Sequence, residues 1–244
     1  MKHYLVTQFN CDMYDIDWLQ RRQKVFEKFC LPGVEAQKNQ DFEWLMVSDS
    51  RTPDKFKNVL DAYPATVIYP DFENHVWDEH APPCDDLSPI MKRSTQLEYI
   101  SNFLIDHIGT LDTDYVITSR CDNDDVLAFD HIARIQDHAK DYRRLDDEFW
   151  LSLVRGMQWG HGYVYPHNSL NNAFISYVEN PENLKTCYQV CHTLASQTDY
   201  PVHGVRSGSP TWLQVVHDEN LLNKVKRQRG KAPDSTIRDR FTFK

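Results

Sequence analysis

A chain of 244 residues, 41% hydrophobic and 12% aromatic, has enough apolar material to bury a full core. Its formal net charge of −9 excludes the basic surface that a duplex nucleic acid partner requires. No apolar run reaches the roughly 18 residues of a membrane span, and the opening MKHYLVTQFNCD turns polar too early for a signal peptide, so a cytoplasmic chain is expected.

Residues 3–9 (HYLVTQF) predict a first strand. Trp18, Leu19, Arg22, Val25, Phe26, Phe29 and Cys30 recur at helical spacing, with Pro32 and Gly33 placed to end or kink the helix. FEWLMVSD (42–49) reads as a buried strand running into Asp49. Phe56, Val59, Leu60 and Tyr63 mark a short helix, and ATVIYP (65–70) a third strand. Strand and helix in alternation are the pattern of parallel strands joined by helical crossovers.

Segment 71–87 is polar and aperiodic, and its His75, Asp78, Glu79 and His80 read as a loop sooner than as metal ligands. Ser88 and Pro89 suit the cap and first position of a long helix burying Ile90, Leu97, Ile100, Leu104 and Ile108. Beyond DYVITSRCDNDD, FDHIARIQDHAKDY predicts a helix, and EFWLSLV, GYVYPH and NAFISYV predict short strands of a more antiparallel region. A helix over 182–197 and the apolar PTWLQVV follow. The six cysteines form no CxxC pair and read as reduced thiols, with Cys187 and Cys191 sharing one face of that helix. Without repeats or linkers, the chain reads as one domain with two halves.

Asp122, Asn123, Asp124 and Asp125 occupy four consecutive positions behind an apolar stretch. Carboxylates this close repel one another unless water, a cation or cationic side chains offset them. Ligands of open α/β sheets sit beyond the carboxyl ends of parallel strands, where Asp49 and this cluster both fall. Strand periodicity places Asp122 and Asp124 on one side, facing one hard cation. A calcium loop of EF-hand type fails, because its required glycine and glutamate positions hold Leu127 and Ala133. A haloacid-dehalogenase-type phosphatase matches the letters DNDDV, but its pair belongs on a first strand. A non-catalytic, calcium-dependent sugar-binding module would use the same carboxylates. Transfer from a nucleotide sugar needs a divalent cation across the leaving diphosphate, and two strand-end carboxylates hold one while leaving positions for phosphate oxygens.

FEWLMVSDS, followed about 70 residues later by VITSRCDNDDVL, resembles the GT-A class of glycosyltransferases. VTQFN, WLQRRQKVFEKFCLPGVEAQ, FEWLMVSDSRTP, ITSRCDNDD and WLQVVHDEN resemble, in that order, the putative rhamnosyltransferase family, from Val6 to Asn220. The resemblance implies a GT-A-like α/β fold with a mostly parallel central sheet flanked by helices: a nucleotide-binding half (1–125), a more antiparallel acceptor-side half (126–223) and a basic tail (224–244). It implies a metal-dependent glycosyltransferase using Mn2+ or Mg2+. The donor is a nucleoside-diphosphate sugar of rhamnose or another hexose, and the acceptor a glycan or lipid-linked hydroxyl. Asp122 and Asp124 take its Asp-x-Asp positions, Asp124 as direct metal ligand and Asp122 nearer the ribose. Asp49 takes the place of the acid that bonds the nucleoside, Thr7 lies beside the base, and His217 resembles a late histidine that returns to the metal.

Other residues are placed by their own chemistry. Arg120 either offsets the acidic cluster or binds diphosphate. Arg93, on the helix leading toward the cluster, is a diphosphate contact or part of a solvated face. Trp159, His161 and Tyr163 in WGHGY are acceptor contacts or ordinary hairpin packing. Asp199, Asp218 and Glu219 are general-base candidates by position alone. NKVKRQRGK (223–231) is a solvated terminus, a flap over the diphosphate, or a peripheral contact with anionic lipid at the inner face of the membrane.

Overall fold

The structure is a computed structural model. It describes residues 1–72, 91–206, 208–217, 225, 232 and 235–244, the side chains of 91–95 and 236 excepted. The alternation predicted for the first half is present. β1 (Lys2–Asn10), β2 (Glu43–Ser48), β3 (Thr66–Ile68) and β4 (Val116–Arg120) are parallel, with β4, β1, β2 and β3 side by side. Helices cover both faces, so β2 is a near-continuous buried run and not an alternating one. α1 (Ile16–Lys28) starts at Asp15, whose carboxylate accepts the Trp18 N–H at 2.8 Å.

Pro32 and Gly33 do not end the helical region. The chain breaks at Phe29 and resumes as α2 (Cys30–Glu35), which contains both residues. Pro32 falls in the first turn, where an N–H has no intrahelical acceptor to lose. Gly33 allows close approach: a Cβ there would lie 2.9 Å from Val126 Cγ1 and 3.2 Å from the Leu127 nitrogen. Thus α2 seats directly on the segment after the acidic cluster.

α3 (Asp54–Leu60), α4 (Met91–Ile108) and α5 (His131–Tyr142) match the expected helices. Leu97, Ile100, Leu104 and Ile108 are buried as predicted, whereas Ile90, its caps and the four loop residues from His75 to His80 lie outside the described residues. No helix among the described residues is long and apolar enough to cross a membrane.

The second half does not form a separate layer. β6 (Phe149–Leu153), β9 (Ser176–Glu179) and β10 (Val202–Val205) extend the first sheet to the order β10-β6-β9-β4-β1-β2-β3. Only β9 runs antiparallel, between β4 and β6, so β6 and β10 point the same way as β4. A second sheet has the order β5 (Val126–Leu127), β11 (Trp212–Val215), β7 (Arg155–Gly160) and β8 (Tyr163–Asn168).

Residues 182–197 are not one helix. Two 3-10 turns, Pro181–Asn183 and His192–Gln197, flank a stretch in which the Lys185 and Thr186 N–H groups donate to the Glu179 carboxylate instead of to helical carbonyls. Cys11, Cys30, Cys121 and Cys187 form no disulfide, but Cys191 is disulfide-bonded, so the expectation of reduced thiols throughout is corrected. Residues 235–244 are no free tail: α6 (Ser235–Arg240) buries Ile237, and Phe241 bridges to Ala128.

The two sheets meet at Trp212, which stacks on Phe174 with ring centroids 5.0 Å apart and donates to the Leu153 carbonyl at 2.7 Å. A Cβ on Gly156 would fall 2.1 Å from its ring. Gly156→Ala should therefore displace the indole and lower stability by about 3 kcal/mol, the upper part of the range for overpacked cores, in urea-melt comparison with the wild type.

Candidate functional site

The parallel strands deliver their carboxyl ends to one edge of the first sheet. There β1 ends at Asn10, β2 runs into Asp49, and β4 stops at Arg120. The acidic residues therefore lie past the strand, and strand periodicity does not place them. Residues 122–125 form a turn instead, closed by the Asp125 N–H donating to the Asp122 carbonyl at 3.2 Å.

This turn separates its side chains sharply. Asp122 is partly open, 34% exposed, with Arg120 Nη2 4.0 Å away. Asn123 is buried; its amide donates to the Phe9 carbonyl and its oxygen accepts from Arg22 Nη1 at 3.0 Å. Asp124 is buried, and its Oδ2 accepts from Arg22 Nη1 at 2.8 Å while lying 3.0 Å from His217 Nε2. Burial pushes its pKa up, but hydrogen bonds and charge from His217 and Arg22 outweigh that and hold it below the usual carboxylate range. Asp125 is raised well above that range, by burial first and then by Asp124 and Asp122. Its Oδ1 accepts the Val215 N–H at 2.7 Å. Arg22 and Arg120 thus lie against the acidic turn and offset its charge.

His217 reaches Asp124 because the second sheet carries it there. β11 pairs antiparallel with β5, Leu213 opposite Val126, so each step along β11 moves back toward the turn. β7 runs parallel to β11 with Trp159 beside Val215, which brings the β7–β8 hairpin alongside His217. Trp159 itself packs on Phe243 at 5.1 Å. His161 (φ 52°) and Gly162 (φ 80°) are the two central residues of the hairpin turn, and Tyr163 is half exposed beside them.

Several other candidates are held differently from expectation. Thr7 is fully buried in mid-strand, with its hydroxyl accepting from the Trp44 indole at 2.9 Å, so it does not face an open site. Asp49 is also fully buried. Its oxygens accept from the Asp12 and Arg51 backbone N–H groups, each at 2.9 Å, and from Arg51 Nε (2.9 Å) and Nη2 (2.7 Å). Burial raises its pKa, but these bonds more than reverse the effect. Asp49 is thereby the anchor of a rim on which Arg51 also pairs with Asp12 and lies 4.4 Å over the exposed Tyr14 ring.

Asp199 is exposed and precedes β10, whose start lies at the opposite end of the sheet from Asp122. Topology removes it as general base. Asp218 and Glu219 fall outside the described residues, as does the Arg93 side chain on α4 and all of the basic stretch except Val225.

Arg120 is buried against Tyr188, its guanidinium carbon 4.6 Å from the ring centroid. Its Nε and Nη1, like the Tyr188 hydroxyl, are buried without a hydrogen-bond partner. Among the described residues, no three histidine, cysteine or acidic side chains converge tightly enough to hold an ion by themselves. Asp124 and His217 do supply one oxygen and one nitrogen donor 3.0 Å apart, a pair that suits two positions of a divalent cation's shell.

The sequence profile of the putative rhamnosyl transferase family matches residues 6–229, which is most of the chain and includes every side chain just described around the turn. The chain belongs to this family. Among solved structures, it is similar to TarS 1-349 of S. aureus in complex with UDP at 12% identity, over 88% of this chain and 61% of that one, with a TM-score of 0.47. It is also similar to mouse xyloside xylosyltransferase 1, apo form, at 11% identity, over 81% and 74% of the two chains, with a TM-score of 0.41. The chain spans about three-fifths of the TarS chain it matches. No curated protein sequence matches it.

In this rhamnosyl transferase family member, Arg22 and Arg51 are the site residues that sequence reasoning missed. Arg22 had a signal: it is a charged residue on the helix face otherwise made of Trp18, Leu19, Val25 and Phe26. Arg51 had only its place two residues after Asp49.

Proposed function

We propose that this protein transfers a sugar, rhamnose or another hexose, from a nucleoside-diphosphate donor to a hydroxyl of a glycan or lipid-linked acceptor. A divalent cation, Mn2+ or Mg2+, assists. The observation that carries this reading is the meeting of Asp124 and His217 at the carboxyl edge of the parallel sheet, in a chain of this family. These two residues would hold the cation, with Asp122 and phosphate oxygens as its further ligands. When bound, the cation neutralises charge developing on the leaving diphosphate.

The chain's own residues supply the rest. Arg120 keeps two buried nitrogen donors unspent beside the partly exposed Asp122, a store of positive charge suited to a phosphate oxygen. Asp122 is the acid open enough to meet a ribose hydroxyl. The Arg51–Tyr14 rim, ordered by Asp49, borders the nucleoside end, and the Tyr163 hairpin beside His217 offers an aromatic face to the acceptor.

The test is a screen of uridine, guanosine and thymidine diphosphates and their sugars with Mn2+ or Mg2+. One nucleotide should raise the melting temperature by mass action, and its sugar conjugate should slowly release free nucleoside diphosphate. Steady turnover of an aryl phosphate that is abolished by Asp122→Asn, without hydrolysis of any nucleotide sugar, would replace this reading with a phosphatase.

A further inference from the structure

Arg22 has no part in the proposed transfer, yet it is held at the turn by both Asn123 and Asp124. It projects from α1 among the buried apolar side chains Leu19 and Phe26, and its own side chain is 9% exposed. Nη1 serves Asn123 and Asp124 together, and the guanidinium carbon lies 4.9 Å over the Trp18 ring. Nε is buried with no acceptor.

A guanidinium is always charged, and one so buried must keep a counterion. Its counterion here is Asp124 Oδ2, the same oxygen that approaches His217. A divalent ion placed between Asp124 and His217 would sit within a few ångströms of this guanidinium, where like charges repel strongly. The two can share the site only if a second anion takes over the arginine, and the unpaired Nε is already desolvated for one.

We infer that Arg22 couples cation binding to nucleotide binding. Without nucleotide, the guanidinium is the counterion of Asp124 and keeps a divalent ion weakly bound. When a nucleoside diphosphate enters, the guanidinium passes to a phosphate oxygen and Asp124 passes to the cation. Arg22 is in this sense a positioning residue, and the inference rests on the cation assignment under the proposed function. By linkage, the factor by which nucleotide tightens the cation equals the factor by which the cation tightens nucleotide.

The experiment titrates the full chain with Mn2+, read by the electron paramagnetic resonance of the free ion, alone and with saturating UDP, GDP or dTDP. The wild type should bind Mn2+ at least about tenfold more tightly with one of these nucleotides. Arg22→Gln, neutral but still able to hydrogen-bond Asp124, should bind Mn2+ alone about tenfold more tightly than the wild type and lose most of the coupling. Arg22→Lys, which keeps the charge, should retain it. Unchanged Mn2+ affinities in Arg22→Gln overturn the inference. So does a wild type that binds Mn2+ equally with and without nucleotide, which decides the matter even if the variant does not fold. Mn2+ bound without coupling removes only the role of Arg22, whereas no Mn2+ bound by any form under any condition removes the cation assignment as well.

Discussion

Asp124→Asn should lower the rate of donor hydrolysis at saturating Mn2+ by at least about a hundredfold, the scale on which removal of one group that stabilises transition-state charge is felt. The substitution keeps an oxygen that can accept from Arg22 Nη1 but removes the charge on which Arg22, His217 and the proposed cation all converge. Asp124→Ala should add a large stability loss of about 3–5 kcal/mol, because it strands a buried guanidinium without its counterion. Comparing the two variants by urea melts and by kcat/KM separates the chemical from the structural role. Asp122→Asn should barely alter stability, since its carboxylate is a third exposed and 4.0 Å from its arginine. An Asp124→Asn enzyme with wild-type hydrolysis would mean that the leaving group is stabilised elsewhere.

Much of this arrangement was legible in the chain because it depends on local period and on strand ends. The alternation from β1 to β4 and the positions of Asp49 and the acidic cluster follow from apolar runs that stop abruptly, which is how buried parallel strands reach a binding edge. His217 was legible for the same reason, at the end of WLQVV. What one dimension hid was mostly pairing. The β7–β8 hairpin turns on His161 in the left-handed region, without the Asn-Gly or Asp-Gly signature, so WGHGY read equally as a sugar contact and as hairpin packing. Asp199 looked plausible until the antiparallel β9 fixed the direction of β10 and put it at the far end of the sheet. The 182–197 segment has helical spacing, but its amide groups are claimed by Glu179, a tertiary acceptor that periodicity cannot register. Arg22 was hidden in the helix itself: counted with the apolar stripe, it marked the face that meets Asp124.

That same Glu179 should make the protein lose stability as pH rises through neutrality. Its carboxyl is fully buried on β9, and burial pushes its pKa up to about 7 against the opposing pull of the Lys185 and Thr186 N–H groups and the Lys185 charge. The ordinary value is 4.5. Between these two values the folded chain holds a proton that the unfolded chain has released, so stability is greatest below about pH 4.5 for this group and falls until the folded pKa is passed. The full loss attributable to Glu179 amounts to about 3.5 kcal/mol, from roughly 1.4 kcal/mol per pKa unit. Urea melts of wild type and Glu179→Gln at about pH 5 and about pH 8 read it directly: the wild type should lose most of that amount, about 2.5 kcal/mol, relative to the variant. An equal difference at both pH values would show that Glu179 ionises without cost. The consequence extends to the site, because the segment Glu179 secures continues into Cys187, whose N–H donates to Thr118 Oγ1 at 2.7 Å, and Tyr188, whose ring lies against the Arg120 guanidinium. Charging Glu179 loosens the support beneath the arginine proposed to meet the diphosphate, so nucleotide affinity should fall over the same pH window in the wild type and stay level in Glu179→Gln.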